Sequence, residues 1–413
     1  MKKILCGITK NFSFLLIGQI TYKVFAFFTY VLIARYLGIA GFGQFSFIVS
    51  FIGLFAILTD FGLNELLIRD VAGQLDKLSQ KYISNILSIK LILTVISFLF
   101  IISASLLISG AREIRIAILV FGLCLTQDSF TIFFRSVFRL FERMEFEALS
   151  LVIEAVLKFS FIFIAFRFFD RGLLTVASAF FITALITAIS TALFAIFRFI
   201  KLKLEFDYVL AWDLFKKTIP FSFLAFFSVI NFKIVTVMIS LFKGDVYTGL
   251  FSAANRLIEP IIVIPVIAST ALFPVISSLY KESQRIAIGL YKKSLRILFL
   301  TSVFIVIVIN IFALKIMFFV FGPEYSNSII SLRILSFSLI PFFFKFFLER
   351  FILVLNKPRV IISSYIGSIF ITIIAGFLLM KFIGYIGAIV ALVLSEFFII
   401  CYNFASIKEI KNA

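Results

Sequence analysis

Apolar runs of about 20 residues recur along almost the entire chain, and they constrain its fold more than any other feature. Each run is long enough to cross the roughly 30 Å hydrocarbon core of a bilayer as an α-helix. Twelve such runs span residues 12–35, 44–67, 83–108, 114–138, 146–168, 172–198, 218–242, 248–279, 289–314, 327–355, 359–380 and 384–406. The sequence therefore predicts an all-α polytopic membrane protein with about twelve transmembrane helices.

Composition excludes most kinds of enzyme site. Hydrophobic residues make up 62% of the 413-residue chain and charged residues only 15%, which leaves no water-soluble fold. There is no histidine, and Cys6, Cys124 and Cys401 lie far apart, so we expect no metal site, no cofactor and no catalytic triad. The net charge of +18 comes from cations that are scattered among the apolar runs and do not form a basic domain. Nucleic acid is therefore not an expected partner.

The distribution of lysine and arginine predicts the orientation of the chain. These residues, Lys90 and Arg135 among them, concentrate at the termini and in the even-numbered connections, which places both termini in the cytoplasm. The longest hydrophilic connection, 201–217, contains Trp212 and predicts a cytoplasmic linker. It separates an N-terminal six-helix lobe, 1–200, from a C-terminal six-helix lobe, 218–413.

Two segments share the pattern G-x4-G-x-F-S. Gly38–Ser46 lies between the first and second spans, and Gly244–Ser252 lies between the seventh and eighth. Six spans separate the copies, so the pattern predicts parallel repeats related by an axis along the membrane normal. Two such bundles leave a central cleft between them.

Four cations fall inside predicted spans, where lipid makes them costly. Lys23 is in span one, Lys233 in span seven, Arg256 in span eight and Arg333 in span ten. A cation at mid-membrane costs at least about 2.5 kcal/mol. Arginine binds phosphate with a fork of donors and lysine adds a compact charge, so these four residues predict a cationic cleft for a diphosphate.

Two acidic residues are candidates for coupling to H⁺ or Na⁺, since no histidine is available. Glu259 lies three residues after Arg256 and can reach it, whereas Glu396 has no local partner. Glu396 therefore serves either cation coupling or an interhelical ion pair. Candidates for hydrogen bonds to sugar hydroxyls are Gln19, Asn231 and Asn255.

Other charged residues favour structural roles. Glu154 and Lys158 have i,i+4 spacing and are predicted to neutralise each other. Lys345, near the cytoplasmic end of span ten, is predicted to extend to the membrane surface. Asp60 is predicted to pair with Arg69 or to cap the end of span two.

Four motifs carry a family resemblance that covers nearly the whole chain. They are A-R-Y-L-G-I-A-G-F-G-Q-F-S-F (34–47), L-T-D-F-G-L-N-E-L-L-I-R-D-V-A (58–72), F-R-L-F-E-R-M-E-F (138–146) and Y-T-G-L-F-S-A-A-N-R-L-I-E-P (247–260). With them the chain resembles the polysaccharide exporters of the multidrug/oligosaccharidyl-lipid/polysaccharide (MOP) superfamily, in particular O-antigen and capsule repeat-unit flippases. The resemblance implies a V-shaped, MATE-like transporter without catalytic residues.

The same resemblance implies a substrate and partners. The substrate is an undecaprenyl-diphosphate-linked oligosaccharide, moved from the cytoplasmic to the outer leaflet of the bacterial inner membrane. Related lipid II flippases present cations from their first and eighth spans, and Lys23 and Arg256 occupy comparable places here. Membrane lipids, a glycan polymerase, a chain-length regulator and a coupling cation are the further partners implied.

Two alternatives from other functional classes stay open. A multidrug antiporter of the same fold would need an acidic lobe for a cationic drug, whereas the intramembrane charge here is in cationic surplus. A membrane glycosyltransferase or glycan polymerase would carry a long external loop or an acidic catalytic motif, and every predicted external connection is short.

Overall fold

The computed structural model describes residues 2–71, 77–108, 112–201, 205–355 and 357–412, and within these residues it contains helices and no strand. The predicted linker therefore lies partly outside the described residues, at 202–204. The fourteen α-helices are α1 (Lys2–Gly53), α2 (Leu63–Val71), α3 (Lys77–Leu106), α4 (Arg112–Leu140), α5 (Met144–Phe168), α6 (Leu173–Arg198), α7 (Tyr208–Lys243), α8 (Asp245–Ile258), α9 (Val263–Glu282), α10 (Gln284–Val320), α11 (Ser328–Ser336), α12 (Leu339–Val354), α13 (Pro358–Ile383) and α14 (Ile386–Asn412). Two 3₁₀ helices span Ala56–Thr59 and Pro323–Asn327.

The prediction of about twelve membrane spans is confirmed. Ten helices in the described part are long and apolar enough to cross a membrane, and there are eleven when the bent pair Pro323–Ser336 and Leu339–Leu353 is counted as one broken span. The first of the ten, Ser13–Gly53, has 41 residues and would be about 60 Å long, twice the thickness of a bilayer core. Gly38 breaks this helix with non-helical dihedral angles (φ 67°, ψ −177°), so it makes two spans.

The chain forms two compact units. The first comprises Met1–Leu37 and Ile48–Val229, and the second comprises Gly38–Phe47 and Ile230–Ala413. The short segment Gly38–Phe47 thus packs with the second unit, although the residues on both sides of it belong to the first. The lobe boundaries at 200 and 218 stay a prediction.

In the first unit, α2, α3, α4, α6 and the start of α7 share one apolar core. Its fully buried members include Leu67 of α2, Ile86 of α3, Phe133 of α4 and Leu214 of α7. Four phenylalanines next to this core pack edge-to-face or tilted, with ring centroids 4.6–6.2 Å apart: Phe138, Phe146, Phe194 and Phe199. Aromatic side chains of this size bury enough area to hold helices together where lipid supplies no hydrophobic drive.

Asp207 fixes the start of α7 in the first unit. Its Oδ1 accepts hydrogen bonds from the N–H groups of Val209 and Leu210 at 3.1 and 3.2 Å, which caps the helix. Lys81 of α3 donates to Oδ2 at 2.6 Å, and Asn85 of α3 accepts the Asp207 N–H at 2.7 Å. Residues 208–217 are therefore a helical extension of α7, tied to α3 by these bonds.

The second span ends in a turn where a buried lysine pairs with a partly exposed aspartate. Phe61 (φ 47°) and Gly62 (φ 75°) both have positive φ, which ends the 3₁₀ helix and starts α2. Asp60, one residue earlier, accepts a hydrogen bond from the fully buried Lys90 at 2.6 Å. Of the two predicted roles of Asp60, capping is confirmed, because Asp60 is the C-cap residue of the 3₁₀ helix Ala56–Thr59, whereas Arg69 pairs with its neighbour Asp70. The location predicted for Lys90, on a connection between spans, is also wrong, because Lys90 is a fully buried residue of α3.

Glycines with positive φ make four turns that each follow an odd-numbered span. Gly38, Gly244, Gly322 and Gly384 have φ between 65° and 95°. No Cβ at these positions would meet another atom within 4 Å, so glycine is required there by the backbone conformation and not by space. In the predicted order of spans the four turns follow spans one, seven, nine and eleven, so that order predicts the same side of the membrane for all four.

The two copies of the G-x4-G-x-F-S pattern pack against each other inside the second unit. A Cβ on Gly43 would lie 1.8 Å from the carbonyl oxygen of Asp245, and a Cβ on Gly249 would lie 2.0 Å from the carbonyl oxygen of Ile39. Gln44 also donates to Asp245 Oδ2 at 2.9 Å. Gly43 of the first copy thus meets Asp245 of the second, and Gly249 of the second copy meets Ile39 of the first. These are equivalent positions of the pattern, so the contact has a local two-fold symmetry.

Candidate functional site

Three of the predicted site residues meet where α8 ends. Glu259 accepts a hydrogen bond from Arg256 Nη1 at 2.6 Å and another from Asn255 Nδ2 at 3.0 Å. The pairing of Arg256 with Glu259 is confirmed, as expected from their i,i+3 spacing. Pro260 has no N–H to donate to the Arg256 carbonyl, so the helix breaks directly after this cluster and α9 begins at Val263.

The exposure of this cluster differs between its two charges. The Arg256 side chain is 15% exposed, whereas the Glu259 side chain is 37% exposed. The carboxylate is therefore the more accessible partner of the pair. A guanidinium has five donors in a fixed fork, a geometry that suits bidentate binding of a carboxylate or a phosphate.

The other predicted cations of the second unit have no carboxylate beside them. Lys233 of α7 is half-buried and Arg333 of α11 is exposed. Within the described residues neither forms an ion pair. Together with Arg256 they give the membrane helices of this unit several cations whose charge is only partly neutralised.

Lys23 and Gln19 lie in the first unit, on α1. They are four residues apart and therefore share one face of the helix, and both side chains are exposed. The neighbouring Tyr22 instead points to α5, where its hydroxyl donates to Glu154 Oε1 at 3.3 Å. Lys23 is thus next to a polar network that crosses the first unit.

That network joins α1, α4 and α5. Glu154 accepts from Lys158 Nζ at 2.9 Å and from Arg135 Nη2 at 2.8 Å, and Arg135 Nε donates to Ser150 Oγ at 3.0 Å. The predicted ion pair between Glu154 and Lys158 is confirmed. The cytoplasmic connection predicted for Arg135 is wrong, because Arg135 lies in α4, is 8% exposed and pairs with Glu154 of α5.

A second polar network lies entirely inside the second unit. Glu396 of α14 accepts from Asn231 Nδ2 of α7 at 2.6 Å and from Lys345 Nζ of α12 at 3.1 Å. Ser368 of α13 donates to Asn231 Oδ1 at 2.8 Å. The surface location predicted for Lys345 is wrong, since its side chain is completely buried.

Comparison with known protein families decides what kind of chain this is. The sequence profile of the family described as "Polysaccharide biosynthesis protein" matches residues 8–280, about two thirds of the sequence. The chain belongs to this family. A comparison with curated protein sequences gives no match.

The same fold occurs in solved structures of other proteins. A multidrug resistance MATE transporter of the MOP superfamily in its inward-facing conformation is 16% identical, with a TM-score of 0.77 over 95% of this chain and 94% of the other. The lipid II flippase MurJ in an inward closed conformation is 15% identical, with a TM-score of 0.73 over 95% and 87%. A MOP superfamily transporter from Pyrococcus furiosus is 14% identical, with a TM-score of 0.65 over 98% and 96%. The resemblance to the MOP superfamily and the MATE-like fold are therefore confirmed.

Sequence spacing identified some of the residues that meet in the structure and missed others. The structure brings Arg256, Glu259 and Asn255 together, and it brings Asn231 to Glu396. Lys345 and Arg135 were missed as members of buried networks. The sequence could have indicated both buried positions, because each of these cations has apolar residues before and after it in the same run.

Proposed function

We propose that the protein is a flippase that moves an undecaprenyl-diphosphate-linked O-antigen or capsule repeat unit across the bacterial inner membrane. It carries the unit from the cytoplasmic to the outer leaflet by alternating access and catalyses no covalent step. The observation that carries the proposal is the surplus of cations on the membrane helices of the second unit, where Lys233 and Arg333 have no carboxylate partner in the described part. Membership of a polysaccharide biosynthesis family supports a glycan as the cargo.

Arg256 is the residue best built to hold the diphosphate. A doubly charged phosphate competes with Glu259 for the guanidinium, because charge-assisted bonds to arginine are strong and bidentate. Glu259 is the more exposed partner, so it can turn away while Arg256 stays in place. The displaced carboxylate then loses its counter-charge and takes up H⁺ or Na⁺, which would couple the cation to cargo binding.

The remaining predicted residues complete the proposed cleft. Lys23 and Gln19 supply a charge and an amide from the first span, and Asn255 supplies an amide beside Arg256. We propose further that 1–200 and 218–413 are the two lobes of the transporter and that the linker 201–217 and both termini face the cytoplasm. The polyprenyl chain stays in the membrane lipids, and a glycan polymerase and a chain-length regulator use the flipped unit.

The test is translocation of a fluorescent undecaprenyl-diphosphate oligosaccharide in reconstituted vesicles. We expect the intact protein to make the lipid accessible on the opposite leaflet and both Arg256→Ala and Lys233→Ala to lose at least about tenfold in rate, since a charge-assisted hydrogen bond contributes about 1.5–3 kcal/mol. Lys315→Ala is the matched control, because Lys315 is an exposed cation on α10 that stacks on Phe312 of the same helix.

Three outcomes distinguish the alternatives. Equal loss in Lys315→Ala would mean that net charge, and not the proposed site, controls the rate. Unchanged transport in both site variants would make Arg256 and Lys233 structural charges. Efflux of a cationic dye without translocation of the lipid-linked glycan would favour the multidrug antiporter.

A further inference from the structure

Lys345 is enclosed on every side by the second unit. Its side chain is 0% exposed and that of Glu396 is 1% exposed, although both lie on membrane helices. The ammonium approaches both carboxylate oxygens, Oε2 at 3.1 Å and Oε1 at 3.4 Å. Such a pair is expensive to desolvate and gives weak net stability, so its presence calls for a further reason.

Three aromatic rings surround the same nitrogen. Lys345 Nζ lies 4.6 Å from the ring centroid of Tyr365, 5.2 Å from that of Phe232 and 5.4 Å from that of Phe342. All three are within the distance at which a ring face attracts a cation. The rings come from α7, α12 and α13, and the carboxylate comes from α14. One anionic group and three ring faces therefore form a cage suited to a small monovalent cation.

The cage is held in place by bonds that do not involve the lysine. Asn231 donates to Glu396 Oε1 at 2.6 Å, and Ser368 fixes the Asn231 amide at 2.8 Å. Glu349, one helical turn after Lys345, has a buried Oε1 without a hydrogen-bond partner. Two carboxylates thus lie near one ammonium, and the orientation of Glu396 is set by its neighbours.

We propose that this cage is a monovalent-cation site whose occupant is the chain's own Lys345. The tethered ammonium fills the position that Na⁺ or a small alkylammonium ion would take, so the second unit takes up no cation from solution at Glu396. Removal of the ammonium turns the cage into an exchangeable cation site. If the protein is the proposed flippase, its coupling carboxylate is then Glu259 and not Glu396; only this last step rests on the proposed function.

The test measures thermal stability and is independent of transport. Intact protein and Lys345→Ala are heated in choline, sodium or propylammonium chloride at equal ionic strength, because choline is too bulky for a cage built around one –NH₃⁺ group. We expect intact protein to melt at the same temperature in all three salts. Lys345→Ala should melt lower in choline and recover saturably in sodium or propylammonium, by about 3 °C at a concentration about 100 times the Kd.

Two controls make the result specific. Lys345→Ala with Glu396→Gln removes the carboxylate that contacts the ammonium, leaves Glu349 in place, and should show no saturable recovery. Lys90→Ala is the second control, because Lys90 is the other completely buried lysine with an acidic partner among the described residues. Its partner Asp60 is 25% exposed, and no aromatic cage surrounds Lys90 in the described part. Lys90→Ala should show no saturable recovery either.

Several results would overturn the proposal. Equal recovery in Lys345→Ala and Lys90→Ala would show a general effect on buried carboxylates. Absence of recovery in every salt would show that the ammonium is only half of a structural ion pair. If Lys345→Ala does not fold, Lys345→Gln is purified in the same three salts, and failure to obtain it even with propylammonium present counts against the proposal.

Discussion

Replacing Gly249 by alanine is expected to separate two backbone segments that now touch in the second unit. The new Cβ would lie 2.0 Å from the Ile39 carbonyl oxygen and 2.9 Å from its carbonyl carbon. At Gly43 the corresponding distance to the Asp245 carbonyl oxygen is 1.8 Å. Real Cβ contacts are essentially never shorter than 3.0 Å, so the segments must move apart by at least the difference, 1.0 Å for Gly249 and 1.2 Å for Gly43.

The obstructing atoms decide the magnitude of this effect. Both are backbone carbonyl oxygens, which cannot rotate away as the end of a side chain can. Overpacking usually costs 1–3 kcal/mol, and we expect about 3 kcal/mol here. At about 2.1 cal/mol/K per residue, this lowers the melting temperature of the 413-residue chain by about 3–4 °C. The double variant should cost less than the sum of the singles, because one separation accommodates both new methyl groups.

The assay is the fraction of monodisperse protein that remains after heating in detergent, measured by size-exclusion chromatography. Gly289→Ala is the matched control, because Gly289 lies in α10 and its Cβ would meet nothing within 4 Å. Alanine there should be neutral or stabilise by about 0.5–1 kcal/mol. Melting temperatures of Gly249→Ala and Gly43→Ala equal to that of Gly289→Ala would refute the close contact.

Two further predictions concern ion pairs. Arg135→Leu should destabilise the protein by about 3 kcal/mol in the same assay, because it leaves the buried Glu154 with one cation fewer. The control Arg143→Leu removes a half-exposed ion pair and should change stability by less than about 1 kcal/mol. The Lys81 hydrogen bond lowers the pKa of Asp207, so this pair stabilises the folded state above the ordinary carboxyl range and is lost as pH falls through the lowered pKa. The variant Asp207→Asn keeps an oxygen that can cap the helix but loses the charge. The difference in melting temperature between intact protein and this variant should be present at neutral pH and shrink below about pH 3.9. A difference that stays constant with pH would contradict the pairing.

The sequence alone determined the helices and the local ion pairs. Long apolar runs must form helices in lipid, whatever they pack against, so about twelve spans followed from run length. The pairs Arg256–Glu259 and Glu154–Lys158 followed from helix geometry, which brings residues three or four positions apart onto one face. Neither inference needs to know how the helices are arranged.

Only the tertiary structure decided which distant residues meet. Glu396 is 51 positions from Lys345 and 165 from Asn231, and their contact depends on how α7, α12 and α14 are rotated about their axes. Almost every face of these helices is apolar, so the sequence carries no stripe that fixes this rotation. The reciprocal contact of Gly43 and Gly249 is similar: the repeated pattern indicated two equivalent turns, but their meeting depends on the packing of segments about 200 residues apart. In lipid such packing is set by close contacts and hydrogen bonds between helices, and these exist only once the helices have assembled.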